Sequence, residues 1–167
     1  VYKRQAIVGL GVAAALAAQE LEQETARLRQ LQRHLAQLLA SVPGLRLIGP
    51  SDLEQRLPHH LSYCTAAIPG NVLVREMNRQ GIAISAGSAC SSGQRIPSRI
   101  LLAMGYSEAE ALGSIRLSLG KATTQAAVEQ VARSLQALLR SAAGSLEEKA
   151  TQPLPSAPAA ELAAGLR

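Results

Sequence analysis

At 167 residues the chain has the length of one domain plus a tail, and although 47% of it is hydrophobic it has no long uncharged apolar run. The Ala-rich stretch from Ala6 to Ala18 is too short to cross a bilayer, runs into Glu20, Glu22 and Glu24, and lacks a secretory cleavage pattern. The charge is +5, but the basic residues are spaced out, and with no Phe, no Trp and three Tyr the chain lacks the clustered charge and stacking rings of a nucleic-acid surface.

The expected setting is therefore a soluble, cytoplasmic protein with no membrane or nucleic-acid partner, in which Cys64 and Cys90 stay reduced. Residues 1–5, Val-Tyr-Lys-Arg-Gln, join abruptly to the apolar Ala6–Leu10 and read as a non-native scar. From Ala6 to about Ser41 the pattern is helical, with Leu21, Leu28, Leu31, Leu35 and Leu38 on one face and Pro43-Gly44 as the stop. Leu45–Ile48 and His59–Ala67 predict two strands. A helix follows over Asn71–Gln80, with Val72, Leu73 and Met77 on its apolar side, and Ile82–Ile84 predicts a third strand.

Pro97 marks the next helix start and Gly105 its end, and Ser107 with Glu110 has capping-box spacing for a short helix to Leu112. Ser114–Leu119 alternates, with Ile115, Leu117 and Leu119 on one face and Ser114, Arg116 and Ser118 on the other. Thr123 or Thr124 caps a last helix carrying Val128, Val131, Leu135 and Leu138. Residues 144–167, rich in Ala, Pro and Ser, predict a disordered tail. Residues 6–143 thus form one α/β or α+β domain, a small sheet covered by helices.

The segment Ile84-Ser-Ala-Gly-Ser-Ala-Cys-Ser-Ser-Gly93 is the least ordinary part of the chain. Nearly every residue is small, which lets backbone approach a ligand, and free N–H groups there lower a thiol pKa toward the nucleophilic thiolate. From the residues alone, Cys90 is either such a nucleophile or an exposed thiol without a role. Cys64, between Tyr63 and Thr65, reads as a small core or face residue. Arg116 reads as part of a solvated sheet face, or as a bidentate clamp for a carboxylate or phosphate. His59, His60 and Cys64 lack zinc-ligand spacing, so no metal site is expected.

The stretch Ser85–Cys90, Pro97, Leu101-Leu-Ala-Met-Gly105, Ser114-Ile-Arg-Leu-Ser-Leu-Gly120 and Thr123-Thr124 resembles the cysteine desulfurases related to NifS and IscS. These are pyridoxal-phosphate enzymes of the class-V aminotransferase group. The similarity runs from about Ala6 to about Leu139, and the spacing from Cys90 to Pro97 resembles the long cysteine loop of the NifS/IscS branch.

The resemblance implies the C-terminal small domain of a fold-type-I enzyme. Cys90 would take sulfur from L-cysteine as a persulfide, releasing L-alanine, and pass it to an acceptor such as an iron–sulfur scaffold. Arg116 would hold the substrate carboxylate. By resemblance, too, Cys90 could share an iron–sulfur cluster with a scaffold, and the full-length protein would be a homodimer.

The family's Ser-x-His-Lys cofactor motif is absent, leaving Lys3, Lys121 and Lys149, and Asp52 is the only aspartate. His34, His59 and His60 do not match the context of the family's ring-stacking histidine. The family's Arg-x-Gly-Thr segment would fall where Val1–Gln5 stand. The expectation is a fragment that does not bind pyridoxal phosphate productively by itself. The alternative is a stand-alone sulfur carrier or interaction module that accepts persulfide on Cys90. A related class-V selenocysteine lyase or aminotransferase would share Arg116 but not the Cys90 loop.

Overall fold

The computed structural model describes residues 2–87 and 96–151, with side chains described as far as Gly144. Helix α1, Tyr2–Ala40, leads into strand β1, Arg46–Leu47, then a 3-10 turn at Leu53–Gln55 and strand β2, His60–Cys64. Helix α2, Gly70–Arg79, precedes strand β3, Ser85–Ala86. Short helices α3, Arg99–Ala103, and α4, Glu108–Leu112, lead to strand β4, Ile115–Ser118, and the chain continues into helix α5, Gln125–Thr151.

The four strands form one antiparallel sheet in the order β1-β2-β4-β3. The register pairs Leu61 with Leu117 and Tyr63 with Ile115, so these four side chains share a face. Helices α1, α2 and α5 cover it with Leu35, Leu39, Leu73, Met77, Val128 and Leu135. Leu35, Leu39, Leu61, Leu73 and Leu135 are at most 1% exposed, and each such burial stabilises by about 1.5–3 kcal/mol.

The opposite face is divided. At one end Cys64 is fully buried, against the side where Arg46 ion-pairs with Glu110 at 3.3 Å and lies 4.2 Å over the Tyr106 ring. At the other end Arg116 and Ser118 are exposed.

Local chemistry explains three of the helix ends. Ser107 Oγ accepts from the Glu110 backbone N–H while the Glu110 carboxylate accepts from the Ser107 backbone N–H, the reciprocal capping box expected for α4. Thr124, of the two threonines proposed, caps α5, with Oγ1 accepting from Ala127 N–H, whereas Thr123 Oγ1 accepts from Gly120 N–H. Helix α3 closes with Tyr106 N–H on Leu101 O and Gly105 N–H on Leu102 O. That pairing needs the left-handed Gly105, at φ +84°.

Beyond shifts of a few residues at element ends, as in β2 and α3, the structure departs from the sequence reading in five places. The helix does not begin at Ala6; α1 runs unbroken through Tyr2–Gln5. Its buried face starts at Leu28 and includes Leu39, while Leu21 is 63% exposed because the sheet and α5 do not extend that far along it. The third strand lies at Ser85–Ala86, not Ile82–Ile84. The earlier residues splay away from Leu117–Leu119, and a cavity of about 230 Å³ lies between them and the start of α5. Ser114 does not join the exposed face; it is buried, and its hydroxyl donates to Ala111 O at 2.9 Å. Helix α5 passes Gly144 and reaches Thr151, consistent with the strong helix formers in Leu146–Ala150. The rest of the expected tail, residues 152–167, lies outside the described residues.

Candidate functional site

Two glycines place β4. A Cβ on Gly113 would lie 1.8 Å from the carbonyl oxygen of Thr65, and one on Gly70 would lie 2.4 Å from that of Ser114. The end of α4, the start of α2 and the residue before β4 therefore meet backbone to backbone, which glycine alone allows. The strand enters the sheet from this fixed point, and Arg116 follows three residues after Gly113.

Arg116 occupies a central strand, opposite Ser62 of β2 on one side and Ser85 of β3 on the other. All three side chains therefore share the open face. Among the described residues its guanidinium makes no hydrogen bond or ion pair, and the arginines of the neighbouring elements differ in this. Arg27 holds Glu24 and three carbonyls of the turn after β4, Arg46 pairs with Glu110, and Arg79 pairs with Glu76. Arg56 donates to the Pro50 carbonyl at 2.7 Å and to that of Ile48.

His60 lies diagonally across from Arg116, opposite Ser118, with Nε2 3.3 Å from Ser62 Oγ. Partial burial, then the positive charges of Arg116, His59 and Arg56, hold the His60 pKa below its ordinary 6.5. The sequence shows the alternation His60-x-Ser62-x-Cys64. It does not show which strand pairs beside it, so the grouping of His60, Ser62 and Ser85 around Arg116 emerges from the register.

Cys90 lies outside the described residues, four positions after Ala86 at the end of β3. Cys64 is the buried thiol the sequence suggested. Its Sγ is 3.7 Å from Arg46 O, and burial, then the Glu110 charge, pushes its pKa up. That is the opposite of what a reactive thiol needs. Among the described residues no group of three or more His, Cys, Asp or Glu side chains could hold a metal ion. No helix among them is long and apolar enough to cross a membrane.

The described residues do not fit a pyridoxal-phosphate site. Lys121 Nζ pairs with Glu20 at 2.6 Å, on the turn beyond β4, and Asp52 Oδ1 accepts from Glu54 N–H to cap the 3-10 turn. Lys3 lies in the exposed first turns of α1. No lysine or aspartate stands on the face that carries Arg116 in β2, β3 or β4.

A small antiparallel sheet carries three helices on one face and, on the other, an exposed arginine that is unpaired among the described residues. The chain belongs to the aminotransferase class-V family, whose model matches residues 3–131.

It is 36% identical over 135 residues to the cysteine desulfurase IscS of Clostridium botulinum, a match covering 80% of this chain and 34% of that protein. It is 38% identical over 128 residues to the cysteine desulfurase NifS of Azotobacter vinelandii, covering 76% of this chain and 31% of that one. The chain thus spans about a third of the length of these curated relatives. A solved NifS-like protein superposes with a TM-score of 0.67 at 29% identity, over 80% of this chain and 33% of that one. The fold expected from the sequence is the fold found.

Proposed function

We propose that this chain serves a cysteine desulfurase as the domain that holds the substrate carboxylate and receives its sulfur. In the net reaction the carbon–sulfur bond of L-cysteine breaks and a sulfur–sulfur bond forms on Cys90. A hydrogen replaces sulfur on the substrate carbon, so a thiol and L-cysteine give a persulfide and L-alanine. Arg116 pairs with the substrate carboxylate through its two parallel N–H donors. The persulfide then passes to an acceptor protein serving iron–sulfur cluster or thio-cofactor assembly, in the cytoplasm, from a homodimer.

The observation that carries this reading is the Arg116 guanidinium. It is exposed, unpaired among the described residues and flanked by Ser62 and Ser85, on a strand beside the one that leads toward Cys90. The similarity to cysteine desulfurases supplies the substrate class. Pyridoxal phosphate, which the family implies, is held by residues other than the described ones. The 167-residue chain alone is accordingly expected not to turn over cysteine.

The test is alanine release from L-cysteine by the protein as its source produces it. Cys90→Ser should abolish both alanine and persulfide, and Arg116→Leu should raise KM at least about tenfold, the loss of a charge-assisted pair. Alanine release that survives Cys90→Ser would sink the reading. A protein that releases no alanine, yet takes up persulfide on Cys90 from an added donor, is a sulfur carrier instead.

A further inference from the structure

Arg116 does not stand alone on its face. Ser62 is its cross-strand partner, and in such pairs the Cβ atoms lie about 4.5–5.5 Å apart. Ser62 Oγ is in turn 3.3 Å from His60 Nε2, two residues along the same strand. The charged or titratable groups acting on His60 are all basic: Arg116 from β4, His59 beside it, and Arg56 from the loop before β2. No carboxylate of the described residues forms an ion pair with Arg116 or His60. Around Arg116 the described residues offer a guanidinium, an imidazole and hydroxyls to an anion, while the carboxylate of Glu110 lies at the Cys64 end of the face, paired with Arg46.

We propose that Ser62 and His60 belong to the carboxylate subsite of Arg116. Ser62 donates a second hydrogen bond to the carboxylate that the guanidinium holds, and His60 orients that hydroxyl through the Nε2–Oγ contact. The proposal rests on the reading of Arg116 as the carboxylate clamp. For the Ser62 O–H to point at the ligand, its oxygen must accept from His60, so the neutral imidazole carries its proton on Nε2. Protonation of His60 keeps that donor and adds positive charge beside the carboxylate. By linkage, a bound carboxylate raises the pKa of His60, and binding tightens as pH falls through it.

The experiment follows the His60 imidazole by NMR in the full 167-residue chain between about pH 5 and 8. Propionate is the probe, and chloride at equal ionic strength is the control. Propionate should raise the His60 pKa, and Arg116→Leu should remove the effect. Ser62→Ala should weaken propionate binding about fivefold, the loss of one hydrogen bond. His60→Asn should keep only the pH dependence that comes from propionate's own ionisation. If Arg116→Leu abolishes binding while Ser62→Ala and His60→Asn bind as the parent does, with the same pH dependence, this proposal falls and the reading of Arg116 stands. If the parent chain binds no propionate, or Arg116→Leu binds it equally well, both fall.

Discussion

Gly113 lies directly against the carbonyl oxygen of Thr65, so close that a methyl group in place of its hydrogen would sit 1.8 Å from that oxygen. The contact joins the end of α4 to the residue after β2 and fixes where β4 enters the sheet. Gly113→Ala should therefore cost at least about 3 kcal/mol in urea unfolding, since backbone must shift to admit it. Gly81→Ala is the control. Its φ of +74° disfavours a side chain but nothing lies within 4 Å, so about 1–2 kcal/mol is expected. Equal losses at the two positions would mean that the Gly113 contact is relieved cheaply.

Burial of Tyr63 raises its pKa to about 12 against an ordinary 10.0. The folded state favours the neutral phenol, so this contribution to stability is complete below pH 10. It is lost as pH rises from 10 toward 12, where the unfolded chain releases the proton and the folded one retains it. Stability measured across that window should fall, and Tyr63→Phe should flatten the fall. In the native chain a phenolate absorbance step near pH 12 should disappear with the same substitution.

Arg27 spans from α1 to the turn after β4, donating to the carbonyls of Thr123, Gly120 and Lys121 while both oxygens of Glu24 hold its other side. A lysine has the charge but not the planar fork. Arg27→Lys should lower the thermal midpoint and speed amide exchange at Gly120 and Thr123. Unchanged exchange at both would show that the turn holds itself.

The two thiols should separate under an alkylating reagent. Cys64 is fully buried with its pKa pushed up, and it should react only after unfolding. Rapid labelling of the native chain should go to Cys90 alone and vanish in Cys90→Ser. Rapid labelling in that variant would contradict the burial of Cys64.

Much of this fold is legible in the sequence because it is written locally. The alternation of Ile115, Arg116, Leu117 and Ser118 sets the two faces of β4, and Ser107 with Glu110 encodes a cap within four residues. What was illegible depends on distant partners. Leu21 has the helical spacing of a core residue, yet the sheet does not reach it. Ile82–Ile84 has strand character, but the ladder with β4 forms only at Ser85 and Ala86. The contacts of Gly113 with Thr65 and of Gly70 with Ser114 cross separations of 48 and 44 residues that no local pattern marks. At the site, Arg116 stood out as a charge on an apolar strand. Its companions Ser62, His60 and Ser85 became visible only once the order β1-β2-β4-β3 was known.

The pinned entry of β4 makes the length of the segment from Gly113 to Arg116 matter more than its composition. Gly113 cannot retreat from Thr65, and the strand's side chains alternate from there with a period of two. Adding or removing one residue between these points would turn the guanidinium into the leucine core and leave Ile115 in water. Exchange of a side chain within the strand leaves this alternation intact, while a change of count inverts it. In comparisons of sequences that share this domain, the spacing from Gly113 to Arg116 should therefore stay fixed, without insertions or deletions.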